Sequence, residues 1–189
     1  ARPELGGVAG MVSGGGSVGT AAGLPAGRTG LERVWLSSNN ILCADRAHAL
    51  IVDSCYCTHA TQTMSLLDSV LGDRPLDVLI NTHLHSDHCG GNAALQARYP
   101  NLKTWIPPGH ARQVAQWDTA ALTYLPTGQL CPQFTFDHTL QPGGLMRLGA
   151  TAWQILAAAG HDPPALIFLE PERNVPLSAA ACWAHVFGF

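Results

Sequence analysis

Hydrophobic and polar residues alternate along the chain in patterns that predict a series of strands and helices. The clearest pattern is a short apolar run at 76–81, whose branched residues Val78 and Ile80 are typical of a buried strand. Helix-forming residues follow at 92–99 and stop at Pro100. The stretch between them, residues 82–91, is therefore predicted to be a strand-to-helix turn, where open α/β sheets place their functional groups.

The same criteria predict the remaining elements. Alternating or continuous apolar segments indicate strands, and amphipathic segments that end at Gly or Pro indicate helices. Thr58 is a candidate N-cap for the first helix, which Gly72 closes. The predicted strands span 33–37, 40–43, 47–53, 76–81, 103–106, 133–137, 145–148, 152–157, 165–170 and 175–178, and the predicted helices span 59–71, 92–99 and 110–117.

The first 30 residues differ from the rest of the chain. They are dominated by Gly and Ala and lack apolar periodicity, which predicts a flexible leader over residues 1–30. Glycines interrupt every apolar run in this segment, so it does not read as a secretory signal. Regular patterning begins at Leu31, and we predict one domain over residues 31–189.

Composition excludes some classes of partner. Charged residues make up 12% of the chain, the net charge is −3 and the sequence pI is about 6.3. This balance gives no electrostatic basis for binding nucleic acid, and no apolar run has the length of a membrane span. The low charge content and the mean hydropathy of +0.11 predict that part of the protein surface is covered.

Six cysteines invite a disulfide interpretation. Cys55 and Cys57, with His59 and Cys89 nearby, could form a bridge or a thiolate metal site. Because the other cysteines lie in apolar contexts, buried free thiols in a reducing cytosol are the preferred interpretation. We therefore predict a cytoplasmic location.

The predicted turn carries an unusual cluster of side chains. His83 and His85 are two positions apart and can converge on one ion, and Asp87 and His88 follow at the start of a helix. Neutral imidazole and carboxylate are ligands for zinc, iron and manganese, and a helix N-terminus favours an ionised Asp. The alternative is a solvated histidine-rich loop. A strand and a helix frame the cluster, which favours a metal site.

The pattern His83-x-His85-x-Asp87-His88 resembles the H-x-H-x-D-H signature of the metallo-β-lactamase superfamily. The segment ending in Asp53-Ser54 is similar to the family's strand before Asp-Ser/Thr-Gly, with Cys55 in place of the Gly. Gly160-His161-Asp162 is similar to the segment that carries the third histidine of the first metal site. The resemblance covers about residues 31–189 and implies a layered α/β fold, the αβ/βα sandwich. The chain would hold its N-terminal half and part of the second half.

Two departures from the family pattern bear on function. Ala180 stands where the resemblance places an Asp that bridges two metals, and a methyl group cannot coordinate metal. The chain also ends at Phe189, before the family's further histidine, and His185 does not match its position. The second site would then keep only Asp87 and His88. We expect a truncated chain with one zinc ion and weak or no occupancy of a second position, with iron and manganese as alternative metals.

The resemblance implies a zinc-dependent hydrolase, closest to glyoxalase II or lactonase-like members. His83, His85 and His161 would hold zinc, and metal-bound hydroxide would attack the carbonyl of an ester, thioester, lactone or amide. Asp87 would act as general base. The partner would be a small-molecule substrate. The alternative is a non-catalytic remnant of the same fold that binds one metal or none and self-associates as a homodimer.

Three further residues are predicted to be structural. His110 is expected on an ordinary helix face, and His138 at a turn. Tyr124 could donate a hydrogen bond to a substrate, but a packing role is preferred.

The segment 118–132 around Tyr124 is long for a connection, which predicts that it shapes a substrate pocket.

Overall fold

A computed structural model describes residues 11–12, 16–19, 28–33, 40–148, 151–158, 162–172 and 175–177. In these ranges the chain forms two β-sheets that pack face to face, with helices covering the other face of the larger sheet. The strands are β1 (Met11–Val12), β2 (Gly16–Gly19), β3 (Arg28–Arg33), β4 (Asn40–Ala44), β5 (Ala49–Val52), β6 (Val78–Ile80), β7 (Lys103–Ile106), β8 (His138–Thr139), β9 (Leu145–Leu148), β10 (Thr151–Ala157), β11 (Leu166–Glu170) and β12 (Val175–Leu177). The helices are α1 (Ala60–Leu71), α2 (Ser86–Cys89), α3 (Asn92–Arg98), α4 (Ala111–Gln116) and α5 (Tyr124–Thr127), with 3-10 turns at Cys57–His59 and Pro108–His110.

The larger sheet contains eight strands in sequence order, β1 to β8. Strands β1 to β5 pair antiparallel, and β5 to β8 pair parallel. Each parallel neighbour is reached by a crossover, which α1 and α3 provide between β5, β6 and β7. The carboxyl ends of β5, β6 and β7 therefore meet at one edge of the sheet.

Alternate residues of the central strands enter two different cores. In β4, Leu42 faces the helices, whereas Ile41 and Cys43 face the second sheet. The helix-side core adds Leu66 and Leu67 from α1 and Leu95 from α3. A third apolar cluster packs α4 and α5 against the region of α2, and it contains Leu84, Cys89, Ile106, Val114, Leu122, Tyr124, Cys131 and Phe134.

The smaller sheet has four antiparallel strands in the order β12-β11-β10-β9. Its inner face buries Trp153 and Phe168 completely against the larger sheet. On its outer face, Leu145 is 70% exposed and Leu156 is 38% exposed. This outer face is thus partly apolar.

Most predicted elements are confirmed, with shifted ends. The strand predicted at 133–137 is wrong: Phe134 alternates with polar neighbours because it packs into the third apolar cluster, and the strand begins only at His138. His138 therefore lies in β8 rather than at a turn. Thr58 does not cap α1, because the turn Cys57–His59 precedes the helix and His59 occupies the cap position without a side-chain bond.

The segment predicted as a leader contains β1, β2 and the start of β3. The predicted boundary near residue 30 falls inside β3, which pairs with β4. The first predicted strand, at 33–37, overlaps β3 only at Arg33, and residues 34–37 lie outside the described ranges. Within those ranges, no helix is both long and apolar enough to cross a lipid bilayer.

Candidate metal centre

The histidine cluster lies directly after β6, as the sequence predicts. The strand ends at Ile80, the chain turns through residues 81–85, and α2 begins at Ser86. Buried amides fix this turn: Asn92 Nδ2 donates to Asn81 Oδ1 at 2.7 Å, and Asn81 Nδ2 donates to the carbonyl of His88 at 3.1 Å. Ser54 also binds the carbonyl of His88 through its backbone N–H at 2.7 Å. The turn is therefore held from both β5 and α3.

This turn brings the predicted ligand side chains together. The ring centroids of His83 and His85 are 4.8 Å apart, and those of His83 and His88 are 3.8 Å apart. Asp87 joins the cluster, with its Oδ2 atom 3.3 Å from His88 Nε2. His83 and His88 are buried, and His85 and Asp87 are half-buried. Three imidazoles and a carboxylate thus lie next to one another at the carboxyl edge of the larger sheet.

A buried carboxylate for which no role was predicted holds this cluster in place. Asp53, at the end of β5, is completely buried and accepts hydrogen bonds from Thr82 N at 2.9 Å and Thr82 Oγ1 at 2.8 Å. Its Oδ2 atom also lies 2.9 Å from His88 Nδ1. Thr82 Oγ1 in turn lies 3.2 Å from His83 Nδ1. Asp53 therefore orients His88 directly and His83 through Thr82.

Burial and charge give the two buried imidazoles opposite protonation states. Burial, reinforced by the neighbouring His88, lowers the pKa of His83 to about 3. Burial opposes protonation of His88 too, but Asp53 and Asp87 outweigh it and raise the pKa of His88 to about 10. Although burial acts to raise the pKa of Asp87, the hydrogen bond with His88 holds it below its usual value. Without metal, His88 is thus a cation between two carboxylates, and His83 is neutral.

These shifts predict a maximum in the stability of the metal-free chain near pH 6.5. The His83 contribution is lost as the pH falls from 6.5 toward 3, because the unfolded state then binds the extra proton. The His88 contribution is complete below pH 6.5 and is lost as the pH rises toward 10. Each proton contributes a slope of up to about 1.4 kcal/mol per pH unit.

Urea unfolding in chelator at several pH values measures this curve. The His88→Gln variant should have a flatter alkaline side than the parent chain, since its side chain cannot carry the proton. An alkaline slope that is the same in both proteins would contradict the assignment to His88.

The remaining residues that the sequence singled out either have clear positions or lie outside the described ranges. Tyr124 is a packing residue as preferred: its buried hydroxyl donates to the Leu84 carbonyl at 2.8 Å. His110 is half-buried at the end of a 3-10 turn, before α4 begins. His161, Ala180 and His185 lie outside the described residues.

The structure adds Tyr56 to the neighbourhood. It follows Asp53 by three positions, and burial together with the charge of Asp87 raises the pKa of Tyr56. The carboxyl end of a strand beside the histidine turn was the sequence signal for both Asp53 and Tyr56, since adjacent parallel strands end at the same edge.

The donor set fits a divalent metal in its chemistry. Neutral His83 is ready to act as a ligand, and His85 adds a second imidazole. Asp162, which follows the predicted ligand His161 in the sequence, is buried, and its Oδ2 atom has no hydrogen-bond partner among the described residues. In the described ranges, no three His, Cys, Asp or Glu side chains are arranged to hold one metal ion, and His88 is engaged by Asp53 and Asp87. Binding through His88 would require the loss of its proton.

Comparison with known proteins gives one family and many structural neighbours. The family model described as "Metallo-beta-lactamase superfamily" matches residues 33–175. The metallo-β-lactamase FEZ-1 from Legionella gormanii has a TM-score of 0.64 at 15% identity, with 76% of this chain and 55% of that chain covered. The metallo-β-lactamase from Cronobacter sakazakii has a TM-score of 0.62 at 21% identity, with 75% and 54% covered.

BJP-1, a subclass B3 metallo-β-lactamase of Bradyrhizobium japonicum, has a TM-score of 0.62 at 16% identity, with 75% of this chain and 53% of that chain covered. At these identities the likeness shows the fold. The chain spans about half the length of the solved structures that it matches. No curated protein matches it.

Proposed function

Because the chain belongs to the metallo-β-lactamase superfamily, we propose that it is a metal-dependent hydrolase that uses zinc and acts on the carbonyl of an ester, thioester, lactone or amide. One observation supports this proposal: the side chains of His83, His85, Asp87 and His88 are neighbours at the carboxyl edge of the sheet, beside the buried carboxylate of Asp53. The proposed substrate is a small molecule, because a net charge of −3 gives no electrostatic basis for binding nucleic acid.

His83, His85 and His161 would hold the ion. His161 lies outside the described residues, but the chain five positions later is fixed beside the cluster: Leu166 N donates to the carbonyl of Thr82 at 2.8 Å. A bound zinc ion would supply Lewis-acid polarisation of the substrate carbonyl and would lower the pKa of a water molecule to about 7. We propose one bound ion. Asp87 and His88 alone would bind a second ion only weakly.

The protein's own groups would orient the substrate and move the proton. Asp87 is ionised and half-buried, so it can accept a proton from the attacking water and pass it to the leaving group. Asp53 and Thr82 keep His83 in one orientation, which preserves the direction of its free electron pair. Tyr56 lies close enough to Asp87 for the negative charge of Asp87 to raise its pKa. Its hydroxyl could therefore donate a hydrogen bond to a substrate oxygen beside Asp87.

The alternative is a non-catalytic form of the fold that self-associates in the cytoplasm. Two observations favour it: His88 is held by carboxylates instead of facing a shared point with two other donors, and Leu145 and Leu156 are exposed on the outer face of the smaller sheet. A homodimer would cover these leucines. Metal content and turnover separate the two functions.

The Asp87→Asn variant tests the enzyme. We expect hydrolysis of an aryl ester to fall about 100-fold or more, because the amide cannot accept the proton, while zinc content measured by mass spectrometry stays unchanged. Asp137→Asn is the matched control: Asp137 also accepts a backbone N–H, from Thr104 at 2.9 Å, but does not contact the histidine cluster.

Four results would contradict the proposal. Purified protein that takes up no zinc, or whose hydrolysis is insensitive to chelator, would favour the non-catalytic form. Full activity in Asp87→Asn would remove Asp87 from the mechanism. The His85→Ala variant should lose both zinc and turnover, and retention of both would exclude this metal site.

A further inference from the structure

A pair of thiols lies in the third apolar cluster, next to α2. The Sγ atoms of Cys89 and Cys131 are 3.9 Å apart, and Cys89 Sγ is 3.1 Å from the Tyr124 hydroxyl. Cys89 is completely buried and Cys131 is 9% exposed. Both are free thiols in this structure. The two residues are 42 positions apart, so the pair joins α2 to the end of the long 118–132 segment.

The distance between the two sulfurs is within reach of a covalent bond. A disulfide has an S–S length of about 2.0 Å, so the sulfurs must approach by a little less than 2 Å. Other described cysteines near the cluster have different neighbours: Cys55 Sγ contacts Thr63 Oγ1 at 2.9 Å, and Cys57 Sγ contacts the Leu130 carbonyl at 3.3 Å. We propose that Cys89 and Cys131 form a reversible disulfide when the protein meets a hydroperoxide, and that this bond ties the 118–132 segment to α2.

The reaction uses two thiols and one hydroperoxide. The sulfur of Cys131, which has some exposure, attacks the peroxide oxygen; the O–O bond breaks, an alcohol or water leaves, and Cys131 becomes a sulfenic acid. The sulfur of Cys89 then attacks the Cys131 sulfur, the S–S bond forms and water leaves. The two sulfurs together lose two electrons, and the peroxide gains them. A hydrogen bond from Cys89 lowers the pKa of Cys131, which agrees with this order of attack.

Bond formation would change how α2 is held. In the reduced protein, Cys89 Sγ lies 3.3 Å from the His85 carbonyl oxygen, and Gln129 Oε1 accepts a hydrogen bond from Ser86 Oγ at 2.5 Å. The first contact must break when Cys89 turns toward Cys131, and the covalent link replaces a set of weak contacts between α2 and the segment. The disulfide requires neither metal nor hydrolysis, so its test is separate from that of the proposed function.

Treatment of the native, metal-free protein with hydrogen peroxide, followed by alkylation and non-reducing peptide mapping, tests the pairing. We expect a cross-linked peptide pair containing Cys89 and Cys131, with a loss of about 2 Da that dithiothreitol reverses. Chymotrypsin cleavage at Leu130, which is 69% exposed, should slow several-fold in the cross-linked protein.

Variants with the same Cys-to-Ser change provide the controls. Cys43→Ser, in the core between the sheets, should keep the cross-link, and Cys131→Ser should lose it. The peptide map of the peroxide-treated chain without substitutions identifies the cross-linked cysteines even if a variant fails to fold. A bond from Cys131 to Cys57, or over-oxidation of Cys131 with Cys89 still open to alkylation, would overturn the proposed pair. An unchanged rate of cleavage at Leu130 in the cross-linked protein would overturn the tie to α2.

Discussion

The Asp53→Asn variant is expected to lose about 3 kcal/mol of unfolding free energy and to lower the pKa of His88 from about 10 to near or below 6.5. Asp53 is completely buried, and its carboxylate receives two hydrogen bonds from Thr82 and one from His88. An amide in its place brings N–H donors against these donors and leaves His88 without its main negative neighbour. Burial then acts on His88 with only Asp87 to oppose it.

Urea unfolding measures the stability of the variant, and NMR titration of the histidine side chains measures the pKa. Asp77→Asn is the matched control, because the half-buried Asp77 carboxylate accepts the backbone N–H of Ala49 at 2.8 Å far from the histidine turn. A loss of stability no greater than that of Asp77→Asn, or an unchanged His88 titration, would show that Asp53 does not organise the cluster.

Gly91→Ala is expected to destabilise the protein by about 3 kcal/mol and to weaken zinc uptake. A Cβ atom at Gly91 would lie 2.4 Å from the carbonyl oxygen of Ser54, a backbone atom with little freedom to move. The same Ser54 donates its backbone N–H to the His88 carbonyl at 2.7 Å. Separation of the two segments would therefore displace His88 as well.

Gly72→Ala provides the comparison for a glycine without a steric contact. Gly72 has φ of +59° and ψ of −127°, but a Cβ there would meet no atom within 4 Å, so the cost of Gly72→Ala is the backbone conformation alone, about 2 kcal/mol. Thermal or urea unfolding of both variants compares the two effects. Equal losses at the two positions would mean that the segment at Ser54 moves freely, contrary to the structure.

The central sheet and its helices were predictable because they follow simple periodicities. The apolar run at 76–81 becomes β6, and the amphipathic segments become α1 and α3. The family was also predictable, because His83, His85, Asp87 and His88 are close in sequence and the spacing itself carries the chemistry. Local signals are sufficient where the interacting residues are neighbours along the chain.

The support of the site was not predictable in the same way. Asp53 lies 29 positions before Thr82, and only the parallel pairing of β5 and β6 brings the two together. The segment at 133–137 shows the opposite difficulty: its alternation arises because Phe134 fills a core beside α4, and the segment meets β7 only at its end, where Asp137 N–H donates to the Thr104 carbonyl at 2.7 Å. Tertiary packing determines both cases, and neither leaves a distinct local pattern.

The pairing of β5 with β6 also works as an alignment device. Val52 pairs with Ile80, so Asp53 and Asn81 leave the sheet at the same height, and the carboxylate meets Thr82 and His88 directly. A slip of one residue between these strands would move Asp53 by about 3.3 Å and reverse the faces of its neighbours. Insertions in the loop before β6 are harmless to this alignment, whereas a shift within β5 or β6 separates the carboxylate from the histidines. The register of two short strands therefore sets the geometry of the site.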